Sequence, residues 1–243
     1  SKRVLSLFKK KTRTNPIKRE DAFDIQFLQI ENPETIQYVD QLKVNNSCFF
    51  RMYQIGKDSP ETRAKAILIS KAIEQPFYTE MRTNQQLGYV VWSYPRPQDD
   101  TYYLNFLIQS GDYPADDLNQ RADRLILTLP NLIANMSDES FQQLIDSEVE
   151  TLERKPLSVS ERAAKNKVII FEHEGDFSRN KKTIESLKKV EKESLAAYME
   201  KIISEETRKM INVLAFAENH ENKSGEQSSF SSLSDWKSTR LYK

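Results

Sequence analysis

The sequence predicts an α+β fold: an antiparallel sheet covered on one face by a block of helices. Three observations predict it. Strand-periodic segments cluster in the first half and include a plausible hairpin. Helical periodicity then takes over for about 90 residues after Asp112. An apolar strand at residues 210–217 (MINVLAFA) closes the order. Strands segregated from a run of helices mark α+β packing, not alternating βαβ units.

Each element has a local reason. FDIQFLQI (23–30) puts Phe23, Ile25 and Phe27 on one face, the period of a strand. SCFFRMYQI (47–55) is a second, aromatic-rich strand, and Gly56-Lys57-Asp58 turns the chain. Ser59 then reads as an N-cap, with Pro60 at the first helical position. Ala64, Ile67, Leu68 and Ala72 follow at helical spacing. Pro76 is expected to end or kink that helix, with FYTEMR resuming as a short one. LGYVVWSY (87–94) and TYYLNFLIQ (101–109) form the hairpin, and the prolines of the PRPQDD loop are expected to stop its pairing.

Residues 116–136 carry Leu118, Leu125, Leu129, Leu132 and Ile133 as a helical face, with Pro130 kinking or dividing it. Ser137 caps the next helix, with Asp138 and Glu139 in the first turn, where the dipole favours acids. That helix stops near Pro156. Residues 160–172 and 191–204 are two more helices. The tail, 218–243, is rich in Ser, Asn, Glu and Lys and is expected to be loose. The first 20 residues hold eight basic residues and one acid, Glu20. They read either as an arm touching a partner or, the favoured alternative, as a solvated connector helix from an upstream domain. The domain proper is expected over 21–217.

Composition removes several function classes. Lys+Arg and Asp+Glu both total 36 in 243 residues, so net charge is zero. A nucleic-acid binder needs surplus positive charge. No run of about 18 apolar residues is present to span a bilayer. The five glycines make neither G-x-G-x-x-G nor G-x-x-x-x-G-K, so a nucleotide cradle is not expected. Cys48 is the single cysteine, which rules out an intrachain disulfide and suits a reducing compartment or a disulfide-free periplasmic chain. The N-terminus lacks a signal-peptide pattern. The two histidines, His173 and His220, stand in neither H-x-x-E-H nor H-E-x-x-H. A catalytic zinc site within this chain is therefore not expected, and no metal ligands are assigned to it. His173, between Glu172 and Glu174, reads as a solvated helix terminus and His220 as an idle tail residue. Cys48 reads as a buried small hydrophobe. The lysines at 181, 182, 188, 189 and 192 read as a solvated helix face.

The densest unusual segment is QPFYTEMRTNQQLGYVVWSY (75–94), which packs a Pro break, an Arg, several amides, a Gly and aromatics between a helix and a strand. Binding groups concentrate at such junctions. Arg82 is a permanent cation with a five-donor fork. Tyr89 offers a phenolic donor, and Gly88 allows another backbone to approach. An Arg and a Tyr converging on one point can hold a polarised carbonyl oxygen or a carboxylate. The ordinary alternatives are an Arg82 pair with Glu80 or Glu74, and a strand aromatic with a wet hydroxyl.

RTNQQLGYVV resembles the R-T-x-x-Q-L-G-Y-x-V segment of the insulinase/pitrilysin family of zinc metallopeptidases, in particular the insulin-degrading enzyme and protease III branch. NSCFFRMYQIG, QPFYTEMRT, FLIQSGDYPADDLNQR and the helical stretch from MSDESFQQLIDSEVETLERK onward extend the resemblance over roughly 23–215. The resemblance implies a fourth, C-terminal domain of such an enzyme. Zinc and H-x-x-E-H would belong to an N-terminal catalytic half, on the same or a separate chain. This domain would wall a chamber that encloses peptide. By the same resemblance Arg82 and Tyr89 contact the substrate backbone near the scissile bond, and Tyr78 lines the substrate pocket. Tyr78 stands where Phe is typical. Two alternatives remain open: a scaffold subunit of the same fold, and a stand-alone peptide-binding module.

Overall fold

The computed structural model describes residues 30–240 together with Ser6, Lys10 and Lys11. The connector helix expected over 1–20 and the strand expected over 23–30 otherwise lie outside the described residues. Ile30–Thr239 form one compact unit.

Among the described residues five strands make one sheet: β1 (Glu34–Gln41), β2 (Ser47–Lys57), β3 (Val90–Gln98), β4 (Thr101–Ser110) and β5 (Lys209–Phe216), in the spatial order β1-β5-β2-β4-β3. Neighbours are antiparallel except β1 and β5, which run parallel. Alternation decides which face is covered. Phe49 and Tyr53 on β2, Leu104, Phe106 and Ile108 on β4, and Met210 and Leu214 on β5 share the side buried in the core. Phe50, Met52, Leu107 and Val213 occupy the other side, half-buried.

Helix α1 (Pro60–Tyr78) packs on the covered face, with Leu68, Ile69, Ile73 and Phe77 fully buried. The Phe77 ring lies 5.0 Å from that of Phe106. Ser59 caps α1 by accepting from the Thr62 amide at 3.0 Å, with Pro60 opening the helix as predicted. The remaining helices are α2 (Ala115–Ile126), α3 (Leu129–Ala134), α4 (Asp138–Glu153), α5 (Val159–Glu172), α6 (Arg179–Leu187), α7 (Lys192–Ile203) and the short α8 (Leu233–Ser238). Pro130 falls at the start of α3, so the predicted long helix is divided in two.

Two proline expectations are corrected. Pro76 does not end α1, which runs to Tyr78 and on into a π-helical segment, Thr79–Asn84. Phe77 and Met81, both fully buried, hold these turns against the core. Pro95 and Pro97 do not stop the hairpin, because β3 stays paired with β4 as far as Gln98 and Thr101. The sheet tolerates them since β3 is an edge strand and a proline can turn its missing donor outward.

The tail is not loose. The Ser229 amide donates to the Gln37 carbonyl at 2.8 Å, and the Ser228 hydroxyl accepts from the Val39 amide at 2.8 Å. Phe230 stacks between Tyr38 and Trp236 at 6.0 and 5.0 Å. The tail therefore closes the outer edge of β1. His220 is not idle, since its Nδ1 meets the buried Ser47 hydroxyl at 2.8 Å. Cys48 is half-buried.

Two ion clusters tie helices to the sheet. Buried Arg51 donates to Asn119 at 2.6 Å, to Asn212 at 3.1 Å and to Asp123, joining α2 to β2 and β5. Asp58 accepts from Arg63 at 2.7 Å and from Arg179 at 2.6 and 3.1 Å, which fixes α6 to the start of α1. Partial burial opposes the Asp58 charge. The hydrogen bonds and charges of Arg179 and Arg63 outweigh it and hold the carboxyl below its ordinary 3.8. A group with a lowered folded pKa adds stability above its unfolded value and loses it as pH falls through the folded one. Asp58→Asn should therefore cost about 2–3 kcal/mol at pH 7. The gap to wild type, read by urea unfolding, should close as pH falls below the ordinary 3.8.

Candidate functional site

The site is built where α1 hands over to β3. Phe77, Met81 and Leu87 are fully buried and act as three anchors. Between and beyond them Tyr78, Arg82 and Tyr89 are left outside the core. The Leu87 amide donates to the Met81 carbonyl at 3.0 Å, closing the turn, and Gln86 takes a left-handed φ of 53°. At Gly88 the chain comes against β4: an added Cβ would stand 1.9 Å from the Gln109 carbonyl oxygen. The close approach expected from the sequence is therefore present, and no side chain fits there.

The structure brings Arg82 and Tyr89 together. The guanidinium carbon lies 5.4 Å from the centroid of the Tyr89 ring, a cation–π arrangement. Tyr89 is 86% exposed. Neither predicted acidic partner takes Arg82. Glu80 instead accepts from the Asn84 and Gln85 side-chain amides, each at 2.8 Å, and those bonds lower its pKa. Glu74 pairs with Lys71 at 3.1 Å. Among the described residues Arg82 makes no ion pair, and its half-buried side chain lies beside the exposed phenol.

Tyr78 lies on a neighbouring wall. A groove of about 630 Å³ runs between the end of α1 and β3, lined by Glu74, Gln75, Tyr78, Val91, Trp92, Ser93 and Tyr94. The Ser93 hydroxyl is buried there without a hydrogen-bond partner among the described residues. A buried hydroxyl without a partner is uncommon.

Sequence reasoning missed the clamp behind Arg82. Gln85 donates to Glu80 and accepts from Arg121 Nη1 at 3.2 Å, and Arg121 is held by Asp117 at 3.0 Å. This ties the π-helical segment to α2. The repeated amides of NQQ were a signal, but the Arg121 partner of Gln85 lies 36 residues away in sequence. Nor did the sequence mark Ser93, a small residue on a strand.

No metal centre is assembled here. Among the described residues no group of three or more His, Cys, Asp or Glu could hold a metal ion. His173 bonds the adjacent Glu172 carbonyl at 2.8 Å and His220 bonds Ser47. The donor set does not fit a zinc site.

Gly88→Ala forces backbone to shift and should lower unfolding stability by about 1–3 kcal/mol. Gly111→Ala, whose Cβ would meet nothing nearer than 3.5 Å, is the control and should stay within about 0.5 kcal/mol of wild type. Denaturant titration of the two variants reads the difference.

A family model described as PQQ synthase PqqF-like, C-terminal lobe domain 4, matches residues 68–167. Insulin-degrading enzyme from Homo sapiens is 27% identical over 183 residues, 74% of this chain and 18% of its own length. A putative zinc protease from Caenorhabditis elegans is 26% identical over 191 residues, 78% of this chain and 22% of its own. The chain thus spans about a fifth of the length of these relatives. The crystal structure of pitrilysin superposes with a TM-score of 0.80 at 17% identity, covering 98% of this chain and 26% of that one. The family model, the relatives and the fold neighbour together support a likeness to the C-terminal domains of the insulinase family.

Proposed function

We propose that this chain is a non-catalytic domain of an insulinase-type zinc metalloendopeptidase, walling a substrate chamber and positioning extended peptide for hydrolysis. The domain proper would then extend beyond the expected 21–217 to take in the packed tail as far as Thr239, with residues 1–20 as its connector. Zinc and its ligands belong to an N-terminal catalytic half, consistent with the zinc-protease name of one relative and with a donor set here that does not fit the metal. No described helix is long and apolar enough to cross a membrane.

The observation that carries this reading is the Arg82–Tyr89 pair, a cation without an ion pair among the described residues set over an exposed phenol. Guanidinium N–H groups and a phenolic O–H are both donors. Aimed at one peptide carbonyl, they orient it and stabilise negative charge as it develops on the oxygen. The substrate backbone is held on the strand side of the pair. The tail occupies the outer edge of β1, whereas β3 is the opposite edge of the sheet. Pro95 and Pro97 cannot donate to an added strand, so peptide would align along Val90–Tyr94. One side chain would then enter the groove beside Tyr78.

In the full-length protease Arg82→Ala should lower kcat/KM for peptide hydrolysis by about 10²–10³, as expected for loss of one oxyanion donor. Its melting temperature should be unchanged. A loss below about threefold contradicts the role and favours the scaffold alternative.

A further inference from the structure

The tail meets β1 without becoming a strand. On the β5 side the Glu34 and Leu42 amides donate to the Arg208 and Phe216 carbonyls. The odd-numbered residues Gln37, Val39 and Gln41 turn their amides the other way, out from the sheet edge. Each of these amides ends on a side-chain oxygen. Gln37 donates to the Ser229 hydroxyl at 2.9 Å, Val39 to the Ser228 hydroxyl at 2.8 Å, and Gln41 to the carboxylate of its neighbour Asp40 at 2.9 Å. The Ser228 hydroxyl in turn donates to the Val39 carbonyl at 3.2 Å. Among the described residues, main chain meets main chain between tail and β1 at the Ser229 amide and the Gln37 carbonyl. Hydroxyls thus stand where the amides and carbonyls of a sixth strand would be. An edge strand of this length is a template for another chain unless it is blocked.

The block is lightly held. No residue from 221 to 239 is buried. The apolar anchor is Phe230, half-buried between Tyr38 and Trp236. A segment with few buried apolar contacts and exposed hydrogen bonds opens far more easily than the whole domain unfolds. β1 itself is held along its full length by β5 and by the buried Ile36. Opening the tail therefore leaves the edge standing, with its donors bare.

We propose that residues 226–230 are a removable cap on β1, and that an uncapped β1 pairs with β1 of a second copy. The strand is self-complementary. Two such edges set antiparallel exchange bonds through their outward residues. A register centred on Tyr38 puts Gln37 opposite Val39, Ile36 opposite Asp40 and Glu34 opposite Leu42, so no two acids meet. A register centred on Gln37 would set Glu34 against Asp40, and like charges directly opposite are destabilising. The contact is the same patch on both copies, so it closes as a two-fold pair. The inference is independent of the roles given to Arg82 and Tyr89.

The test uses the natural polypeptide that carries this chain, with Ser228→Ala, Ser229→Ala and Phe230→Ala combined. None of the three residues is buried, so the fold should persist. In dilute protein, hydrogen–deuterium exchange of the Gln37 and Val39 amides should quicken by about tenfold or more. Sedimentation velocity should show a dimerisation step that rises with concentration and that wild type lacks. Adding Tyr38→Lys sets two like charges face to face at the centre of the register and should abolish that step. Should the triple variant lose its melting transition, Ser228→Ala alone gives the same reading at Val39. Unchanged exchange at these amides overturns the cap. Quickened exchange without an added dimer overturns the pairing, as does a dimer that survives Tyr38→Lys. Edge amides protected by added peptide and not by protein concentration overturn it in favour of an extended substrate.

Discussion

The approach of Gly88 to β4 is the constraint on which the site depends. A Cβ at this position would stand 1.9 Å from the Gln109 carbonyl oxygen, so only a glycine lets the chain leave the core along this path. Leu87, fully buried, fixes the step before it, and Met81 fixes the turn before that. With those three positions held, Tyr89 must leave the core on the side where Arg82 emerges. The cation–π contact is a consequence of this path and adds only about 0.5–1 kcal/mol at an exposed position. Burial of Phe77, Met81 and Leu87 is worth several times more. The Arg82–Tyr89 pair therefore rides on packing and does not have to hold itself together.

The treatment of the arginines separates structure from function. Arg51 is buried and satisfied by two amides and a carboxylate. Arg63 and Arg179 share Asp58, and Arg121 has Asp117. The partners of Arg51 and Asp58 lock separate elements together, whereas Asp117 holds Arg121 within α2. Arg82 differs, since the acids nearest in sequence are engaged by amides and by Lys71. The Gln85 clamp thus does two things: it ties the segment to α2 and withholds Glu80 from Arg82. A half-buried guanidinium kept free of its local carboxylates is suited to a carbonyl or carboxylate brought by another molecule.

Much of this was legible in the sequence. The Ser59–Pro60 helix start, the Ser137 cap, the division at Pro130 and the closing strand all follow from local chemistry, which sequence reports directly. The Arg82, Gly88 and Tyr89 arrangement was legible through its residue types and the R-T-x-x-Q-L-G-Y pattern. What escaped depends on tertiary partners. β1 went unread because Glu34, Gln37, Asp40 and Gln41 dilute its apolar alternation, and parallel pairing with β5 joins residues 175 apart. The tail read as loose because its serines bind an edge 189 or more residues away. Pro95 and Pro97 were misjudged because their effect depends on whether the strand is central or at an edge, which composition does not say.

The central claim is that Arg82 and Tyr89 act on one substrate oxygen. A double-mutant cycle in the full-length protease, with Arg82→Ala, Tyr89→Phe and the pair, measures it most directly through kcat/KM for a peptide. Two donors serving one oxygen are coupled, so the double variant should lose less than the sum of the singles, by about 1 kcal/mol or more. Strictly additive losses, or single variants that hydrolyse peptide at the wild-type rate, would contradict the account.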